Sequence, residues 1–284
     1  MSSRHPGAAH LRATQPRVTI VIPALNEARN LERVLPTLPP VHEVIVVDGN
    51  SVDDTVETVR RLLPSARLVS QTRQGKGNAL VCGFAEATGD VIVMFDADGS
   101  ANAAEIPRFV EALVAGADFA KGSRTCVGGG SADLTRLRGV GNRALTLLTN
   151  ILFRVRFTDL CYGYNAFWVD VLPMMRLPAR LPAGPTACWG DGFEIETVIN
   201  CRVAAAGLAV REVPSFEENR VHGVSNLNAY RDGVRVLRTI FTEWRGRRTQ
   251  AAISSYHRAV MWSPAVPRPV TPARSDNELF DVTG

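Results

Sequence analysis

Short apolar runs alternate with helical segments through the first 125 residues, and this alternation limits the possible folds more than any other feature. The predicted strands are Val18–Ile22, Glu43–Val47, Ala66–Ser70, Val91–Phe95 and Phe119–Lys121. A helical segment separates each strand from the next. Strands connected in this way pair in parallel through right-handed crossovers, with the helices covering the sheet. The sequence therefore predicts an α/β fold built on a mostly parallel sheet with flanking helices.

Two carboxylates follow the central predicted strand. Val91–Phe95 is apolar throughout, as expected of a strand buried on both faces, and Asp96 and Asp98 come directly after it. Residues i and i+2 share a face, and the carboxyl ends of parallel strands open into the ligand crevice. Two such hard oxygen ligands suit Mg²⁺ or Mn²⁺ held together with substrate phosphates. The alternative is an acidic loop that caps the next helix, and the pair alone does not decide between the two.

Polar residues also follow three other predicted strands. They are Asn26 and Glu27, Asp48, and Ser123 with Arg124. Because the ends of parallel strands meet at one edge of the sheet, these positions predict a nucleotide-binding crevice. No G-x-G-x-x-G follows the first strand and no G-x-x-x-x-G-K-[ST] occurs, which argues against a dinucleotide-dependent dehydrogenase and against a P-loop enzyme.

Composition and the two ends of the chain bear on its location. Of 284 residues, 45% are hydrophobic and 21% charged, as in a folded domain with a sizeable core. The net charge of +4 gives no general argument for a polyanionic partner, and the five cysteines lack C-x-x-C spacing. Residues 1–16 and 259–284 are predicted to be disordered, without a secretory signal. We expect a cytoplasmic protein, either free or attached peripherally to the inner face of the membrane.

A long amphipathic helix is predicted over residues 227–248. One face carries Leu227, Tyr230, Val234, Leu237, Phe241 and Trp244, and the other carries Arg231, Arg235, Arg238, Arg245 and Arg248. The favoured interpretation is a surface helix whose apolar face packs on the core. The alternative is contact between the basic face and anionic lipid head groups. No aromatic residues are interleaved with these arginines in a base-stacking pattern, so no nucleic-acid partner is expected.

At this point the residues resemble a known family. Five motifs occur in the order found in family 2 glycosyltransferases of the GT-A fold: Pro23-Ala24-Leu25-Asn26-Glu27, Val47-Asp48-Gly49 with Asp53-Asp54-Thr55, Gly75-Lys76-Gly77, Asp96-Ala97-Asp98 and Gly122-Ser123-Arg124. The sequence is most similar to the dolichyl- and polyprenyl-phosphate sugar synthases of that family. The resemblance implies a Rossmann-like GT-A domain over 17–248, with a nucleotide-sugar half at 17–125 and an acceptor half at 126–248.

The resemblance also assigns roles to individual residues on the donor side. The base and ribose pocket would be lined by Pro23, Ala24, Asn26, Glu27 and Asp48, with Asp53 near the base and Lys76 close by. Asp96 and Asp98 would bind the metal and the diphosphate, and Arg124 would contact a phosphate. Taken singly, Glu27 could instead be an acid at a helix N-terminus, and Asp48 could be a loop cap.

On the acceptor side the resemblance is looser. The segment Gly190–Glu196 resembles the acidic stretch near the acceptor, so Asp191 is expected to be the catalytic base with Glu194 and Glu196 behind it; a capping role is the alternative for Asp191. The predicted acceptor residues are Arg138, Asp159, Arg220 and Ser225. Asn165 and Asn226 stand where polyprenyl-phosphate enzymes commonly carry cations. A phosphate acceptor is already ionised and needs no strong base, and Arg138 and Arg220 would then clamp it.

The expected activity is inverting transfer of a sugar from a UDP-, GDP- or dTDP-linked donor to polyprenyl phosphate or another glycan or lipid intermediate, as in cell-wall or polysaccharide synthesis. A soluble secondary-metabolite acceptor is one alternative. The other is a catalytically silent nucleotide-sugar-binding partner. The intact Asp96 and Asp98 pair argues against a silent protein, because such a protein has no leaving group to stabilise.

Overall fold

A computed structural model describes residues 12–181, 183–223 and 229–261. Its centre is a sheet of seven strands, as predicted mostly parallel. These strands are β1 (Val18–Ala24), β2 (Glu43–Asp48), β3 (Arg67–Ser70), β4 (Val91–Met94), β5 (Phe119–Ser123), β7 (Asn165–Trp168) and β8 (Val210–Pro214). The short strands β6 (Gly130–Ser131) and β9 (Phe216–Glu217) pair with each other in a second sheet.

The order of the strands is β3-β2-β1-β4-β7-β5-β8. Only β7 among these strands runs antiparallel to its neighbours, and it lies between β4 and β5. Asn165 at the start of β7 is opposite Met94 on one side and Lys121 on the other. Because β7 and β8 come from the second half of the chain, one sheet joins the predicted donor and acceptor halves in a shared core.

The described helices follow the predicted alternation, with ends shifted by a few residues. They are α1 (Ala28–Val34), α2 (Thr55–Leu62), α3 (Lys76–Glu86), α4 (Ile106–Val114), α5 (Arg136–Phe153), α6 (Leu172–Met175), α7 (Ile195–Ala205) and α8 (Ala229–Met261). Within the described ranges, no helix has both the length and the hydropathy needed to cross a membrane.

Helix α8 differs from the prediction in length and in the face that it buries. It continues to Met261, which includes the first residues of the predicted tail; the rest of that tail lies outside the described residues. On its buried face, Val236, Ile240 and Trp244 pack in an apolar cluster with residues of α5 and α7. Most of the predicted core face is exposed instead: Tyr230, Val234, Leu237 and Phe241. The helical spacing was right, but it could not show which of two adjacent apolar stripes meets the core.

The described part of the predicted leader makes tertiary contacts. Arg12 forms ion pairs with Asp118 at 2.7 Å and Asp170 at 3.0 Å, and its guanidinium lies 5.1 Å from the centre of the Trp168 ring. Residues 1–11 lie outside the described residues. The chain is therefore fastened to the sheet several residues before β1.

Lys121, on β5, is completely buried, and among the described residues its ammonium donates one hydrogen bond, to the carbonyl of Gly122 at 3.2 Å. Burial lowers the pKa of this lysine, although Asp159 and Glu212 act in the opposite direction. We expect Lys121→Met to raise the free energy of unfolding at pH 7 by about 1–3 kcal/mol, because the variant no longer buries an incompletely bonded charge.

The pH dependence of this gain follows from the pKa. Between the lowered folded value and the ordinary value of 10.5, the unfolded chain binds more protons than the folded one, so wild-type stability rises with pH. Urea unfolding should show the advantage of Lys121→Met shrinking toward pH 10.5. Arg60→Met, on the exposed side of α2, is the control. A less stable Lys121→Met protein at pH 7 would contradict the expectation.

Candidate active site

The residues after β1 and β2 interlock at the carboxyl edge of the sheet. Ala24 and Asp48 are opposite each other in the β1–β2 register, which places Pro23 and Ala24 at this edge. The Asp48 carboxylate accepts hydrogen bonds from the backbone amides of Asn50 at 3.1 Å and Ser51 at 3.2 Å. The structure thus gives Asp48 the loop-capping contacts that were the alternative, at the same edge that the nucleotide-binding role requires.

Asn26 ties the first of these loops to the second. Its backbone amide donates to Ser51 Oγ at 2.9 Å, and its side-chain oxygen accepts from the amide of Val52 at 2.8 Å. Asn26 has φ of 56°, a left-handed conformation that asparagine tolerates better than most residues. The predicted base and ribose residues are therefore held in one hydrogen-bonded pair of loops.

Asp53 supports this loop pair from the start of α2. Its carboxylate accepts hydrogen bonds from the amide of Ala28 at 3.2 Å and from the amide of Thr55 at 3.1 Å. Burial acts to raise the pKa of Asp53, but hydrogen bonds from Thr55 and from Ala28 outweigh it, so the pKa lies below its ordinary value. The N-cap residue of α2 is Asp54, whose side chain makes no cap hydrogen bond.

Lys76 joins the two halves of the site. Its ammonium lies 2.7 Å from Asp96 Oδ1 and 2.7 Å from Glu196 Oε1. Burial acts to lower the pKa of Lys76, but the two carboxylates outweigh it and raise the pKa above its ordinary value. The lysine is therefore a fixed positive charge at the end of β4. A donor-side acid and an acceptor-side acid, predicted from motifs 100 residues apart, share it.

Asp98 is paired with a second basic side chain. Its Oδ2 lies 2.9 Å from the guanidinium of Arg220, and its Oδ1 accepts a hydrogen bond from the amide of Ser100 at 2.9 Å. The turn that leads into α4 is capped by Asn102, whose side chain accepts from the amide of Ala104. The two acids therefore do not cap the next helix, which removes the alternative left open for Asp-x-Asp.

Glu27 adds a third carboxylate to this edge of the sheet. Burial raises its pKa, although a hydrogen bond from the Asn30 amide opposes the shift, and the charges of Asp98 and Asp96 raise the pKa further. Glu27 is the N-cap residue of α1, but its side chain makes no cap hydrogen bond. The carboxylate bonds to Asn30 and lies in the field of the two aspartates.

The carboxylates at this edge of the sheet suit a divalent cation only when a substrate supplies further ligands. In the part of the chain that the structure describes, no three His, Cys, Asp or Glu side chains are arranged to enclose a metal ion. Asp96 and Asp98 can supply oxygen ligands, and in this structure each is paired with a basic side chain, Lys76 or Arg220. A hard ion held by one or two carboxylates and completed by phosphate oxygens and water fits this arrangement.

Asp191, the expected base, is completely buried and bound to Arg73. The guanidinium makes two hydrogen bonds with the carboxylate, at 2.7 and 2.9 Å, and the amide of Cys188 adds a third at 2.6 Å. Burial acts to raise the pKa of Asp191, but Arg73 and Cys188 outweigh it and the pKa lies below its ordinary value. This geometry is that of a structural ion pair, with the carboxylate oxygens committed to Arg73.

The segment that carries Asp191 packs tightly on the start of α3. Gly75 has φ of +127°, and a Cβ there would lie 2.2 Å from the carbonyl oxygen of Asp191. A Cβ on Gly77 would lie 1.9 Å from the carbonyl oxygen of Gly190. The two glycines beside Lys76 therefore allow the contact that brings Glu196 to the lysine. Glu194 accepts hydrogen bonds from the amides of Gly190 and Gly192 and holds the same turn.

Arg124 and Asp159 form a separate buried pair. Two hydrogen bonds, at 2.7 and 3.0 Å, join their side chains, and Glu217 accepts from the same guanidinium. The guanidinium of Arg124 also lies over the ring of Tyr162, 4.8 Å from the ring centre. This network ties β5 to the acceptor half, and the phosphate contact through Arg124 stays a prediction. The arginine follows a strand of the sheet as expected, but its guanidinium is paired with carboxylates of this chain.

The remaining acceptor residues are not gathered in one place by the described contacts. Arg138 pairs with Asp133 at 3.1 Å in the first turn of α5, and Arg220 with Asp98. Ser225 and Asn226 lie outside the described residues. Asn165 is buried and donates to the carbonyls of Tyr162 and Gly163.

Two site residues were not predicted. Arg73 carries no pattern that would identify it as the partner of Asp191. Gly163 lies directly against the acids, because a Cβ there would lie 3.2 Å from Glu196 Oε1 and 3.6 Å from Asp96 Oδ2.

Comparisons with known proteins agree with this geometry. The family model described as Glycosyl transferase family 2 matches residues 19–172. An uncharacterized glycosyltransferase of Mycobacterium tuberculosis is 40% identical over 112 residues, which are 39% of this chain and 50% of the relative, so the match spans half of that protein. The undecaprenyl-phosphate mannosyltransferase of Micrococcus luteus is 31% identical over 84% of this chain and 100% of its own length.

A solved structure extends the comparison to the fold. Glucosyl-3-phosphoglycerate synthase from Mycobacterium tuberculosis, in complex with Mn²⁺, uridine diphosphate and phosphoglyceric acid, superposes with a TM-score of 0.62 at 24% identity. The superposition covers 84% of this chain and 81% of that one. The predicted GT-A architecture is thereby confirmed. The chain belongs to glycosyl transferase family 2 and has the GT-A fold.

Proposed function

We propose that this enzyme transfers a sugar, with inversion at the anomeric carbon, from a nucleotide-diphosphate sugar to polyprenyl phosphate. The observation that carries the proposal is the arrangement of Asp96 and Asp98 at the end of β4, each paired with a cation and flanked by Glu196 from the acceptor half. A diphosphate leaving group gains negative charge as its bond to the sugar breaks. Fixed positive groups at that point lower the barrier.

The donor binds along the loops after β1 and β2. Asn26 and Asp48 hold these loops together, and Asp53 fixes them to α1. The same loops present Pro23, Ala24 and Glu27 at the edge of the sheet, where a base and ribose of a UDP-, GDP- or dTDP-linked sugar fit. The diphosphate then extends toward Asp96.

A divalent cation, Mg²⁺ or Mn²⁺, is the proposed cofactor, held by Asp96 and Asp98. When bound, it neutralises the charge that develops on the diphosphate. Lys76 and Arg220 now neutralise the same two aspartates. With metal and donor bound, Lys76 and Arg220 would be available to donate hydrogen bonds to the phosphate oxygens. The Mn²⁺ in the solved protein with this fold is consistent with this choice.

The proposed acceptor is a polyprenyl phosphate, in agreement with the undecaprenyl-phosphate specificity named for the Micrococcus luteus relative. Its phosphate is ionised at neutral pH and attacks without a strong base, which is consistent with an Asp191 that is committed to Arg73. Arg220 and Arg138 are the proposed phosphate contacts. Because such an acceptor resides in a membrane, we place the enzyme at its cytoplasmic face.

A second candidate acceptor is the hydroxyl group of a soluble molecule. Glu196 favours it, because this nearly buried carboxylate shares Lys76 with Asp96 and both acids lie against the backbone of Gly163. A hydroxyl must lose a proton as it attacks, and Glu196 is the acid of the predicted set best placed to take that proton.

The purified protein decides between these proposals. It is incubated with radiolabelled UDP-, GDP- and dTDP-sugars and with MnCl₂ or MgCl₂, in the presence and absence of a polyprenyl phosphate in detergent. We expect one donor to label an organic-extractable product only when the lipid phosphate and a divalent cation are present, with activity abolished by EDTA. Label transferred only to soluble acceptors would support the second candidate. No transfer and no donor hydrolysis with any donor would contradict both and indicate a silent binding partner.

A further inference from the structure

Helix α5 exposes a continuous apolar stripe. Leu137, Val140, Leu147 and Ile151 are spaced three, seven and four residues apart, which places them on one face of the helix. Their exposed fractions are 73%, 66%, 61% and 66%. The helix has 18 residues, and the stripe on it, measured from Leu137 to Ile151, is about 20 Å long at a rise of 1.5 Å per residue. Single exposed apolar residues are ordinary, but a helix-long row of them marks a surface that meets a partner.

The buried face of α5, formed by Asn142, Thr146, Thr149 and Phe153, is already used by the fold, and partly buried leucines lie next to it. Leu145, Leu148 and Leu152 pack in an apolar cluster with Val236 and Ile240 of α8. Helix α5 is thus attached to the domain through one face and presents the other outward. Its neighbour α8 also exposes apolar side chains, among them Val234, Leu237 and Phe241.

The charges on α5 are of one sign. Between residues 136 and 156 there are five arginines and no acidic residue. Arg136, Arg143, Arg154 and Arg156 are exposed. Arg136 and Arg143 fall on one flank of the apolar stripe by helical spacing, and Arg154 follows the last helical residue as the C-cap. Arg138, by contrast, is paired with Asp133. An outward apolar face bordered by arginines is the pattern of a helix that lies in the interface of an anionic membrane.

We propose that α5 is the membrane-docking surface of this enzyme, with the stripe of Leu137, Val140, Leu147 and Ile151 inserted among the acyl chains and Arg136, Arg143 and Arg154 on anionic head groups. A second copy of the chain is the competing occupant of an apolar face. Antiparallel two-fold pairing through α5 would bring the arginine flanks of two identical helices together, and in either orientation two surfaces of the same positive charge oppose the contact. The lipid surface is complementary in both polarity and charge.

This inference differs from the contact that the sequence suggested through the basic face of residues 227–248, because it assigns the docking to α5. It needs no sugar transfer and no particular acceptor. Its test therefore uses vesicles alone, and a failure of the proposed function would leave it standing.

The test measures binding of the full chain to vesicles by co-sedimentation, with pure phosphatidylcholine compared against phosphatidylcholine containing phosphatidylglycerol. We expect wild-type protein to bind the anionic vesicles and to be released by salt. The double variant Leu147→Gln/Ile151→Gln should bind at least about tenfold more weakly, because two apolar side chains are no longer transferred from water into the membrane. Arg136→Gln/Arg143→Gln should lose the preference for anionic vesicles.

Val127→Gln is the matched control, because Val127 is an almost fully exposed apolar residue that belongs to the loop between β5 and β6 and not to α5. It should bind as the wild type does. Circular dichroism shows whether each variant is folded, and substitutions at exposed positions should leave the melting temperature nearly unchanged. Equal binding of Leu147→Gln/Ile151→Gln and wild type would overturn the proposal. So would a wild-type protein that ignores both vesicles and is a dimer by light scattering, with the same variant monomeric.

Discussion

Replacing Asp98 with alanine is expected to lower kcat/KM for sugar transfer by about 10²–10³-fold, the range seen when one preorganised electrostatic group is removed from an active site. Asp98 lies at the carboxyl end of the central strand and is held in place by the amide of Ser100 and by Arg220. Without its carboxylate, the proposed cation loses one of two protein ligands. The loss acts on the transition state, where the diphosphate carries the most charge, so kcat should fall.

The measurement is transfer with the donor that the wild-type protein uses, over a range of Mn²⁺ and Mg²⁺ concentrations. We expect the metal requirement of Asp98→Ala to shift to higher concentration. Glu111→Gln, on the exposed side of α4, is the control for removing an acid elsewhere and should retain wild-type rates. An Asp98→Ala protein with undiminished activity would remove the basis of the metal proposal.

Replacing Asp191 with alanine is expected to lower the free energy of unfolding by about 3–5 kcal/mol, because it leaves the buried guanidinium of Arg73 without its carboxylate. Breaking one side of a buried ion pair is among the most costly single substitutions. Urea unfolding followed by circular dichroism measures the change. The matched control is Asp54→Ala, since Asp54 is exposed and its side chain makes no cap hydrogen bond on α2.

The same variant separates a structural role for Asp191 from a catalytic one. The folded protein lowers the pKa of Asp191, so this pair contributes stability that is present above the ordinary pKa of 3.8 and is lost as pH falls through the lowered value. Asp191→Asn should therefore remove part of the acid destabilisation of the wild type. The double variant Arg73→Met/Asp191→Leu should recover much of the lost stability, because no buried charge is left unpaired. Full stability of Asp191→Ala together with a loss of kcat would instead favour Asp191 as the base.

The fold and much of the donor side could be predicted from the sequence. Buried parallel strands are continuous apolar runs, so Val91–Phe95 and its counterparts were identifiable, and with them the positions where each strand ends. The strand ends then placed Asn26, Asp48 and Asp96 at one edge, because parallel strands share a direction. These are local patterns, and the topology of an α/β sheet converts them into proximity.

Only the tertiary structure decided which charged groups meet. Arg73 with Asp191, Arg124 with Asp159, and Lys76 with Asp96 and Glu196 are pairs between distant parts of the chain, and no spacing rule relates them. The same holds for β7, which enters the sheet between β4 and β5, and for the face of α8 that reaches the core. A periodic sequence determines that a helix has an apolar side, but the partner surface determines which residues leave water. An ion pair likewise depends on where two separately folded segments come together.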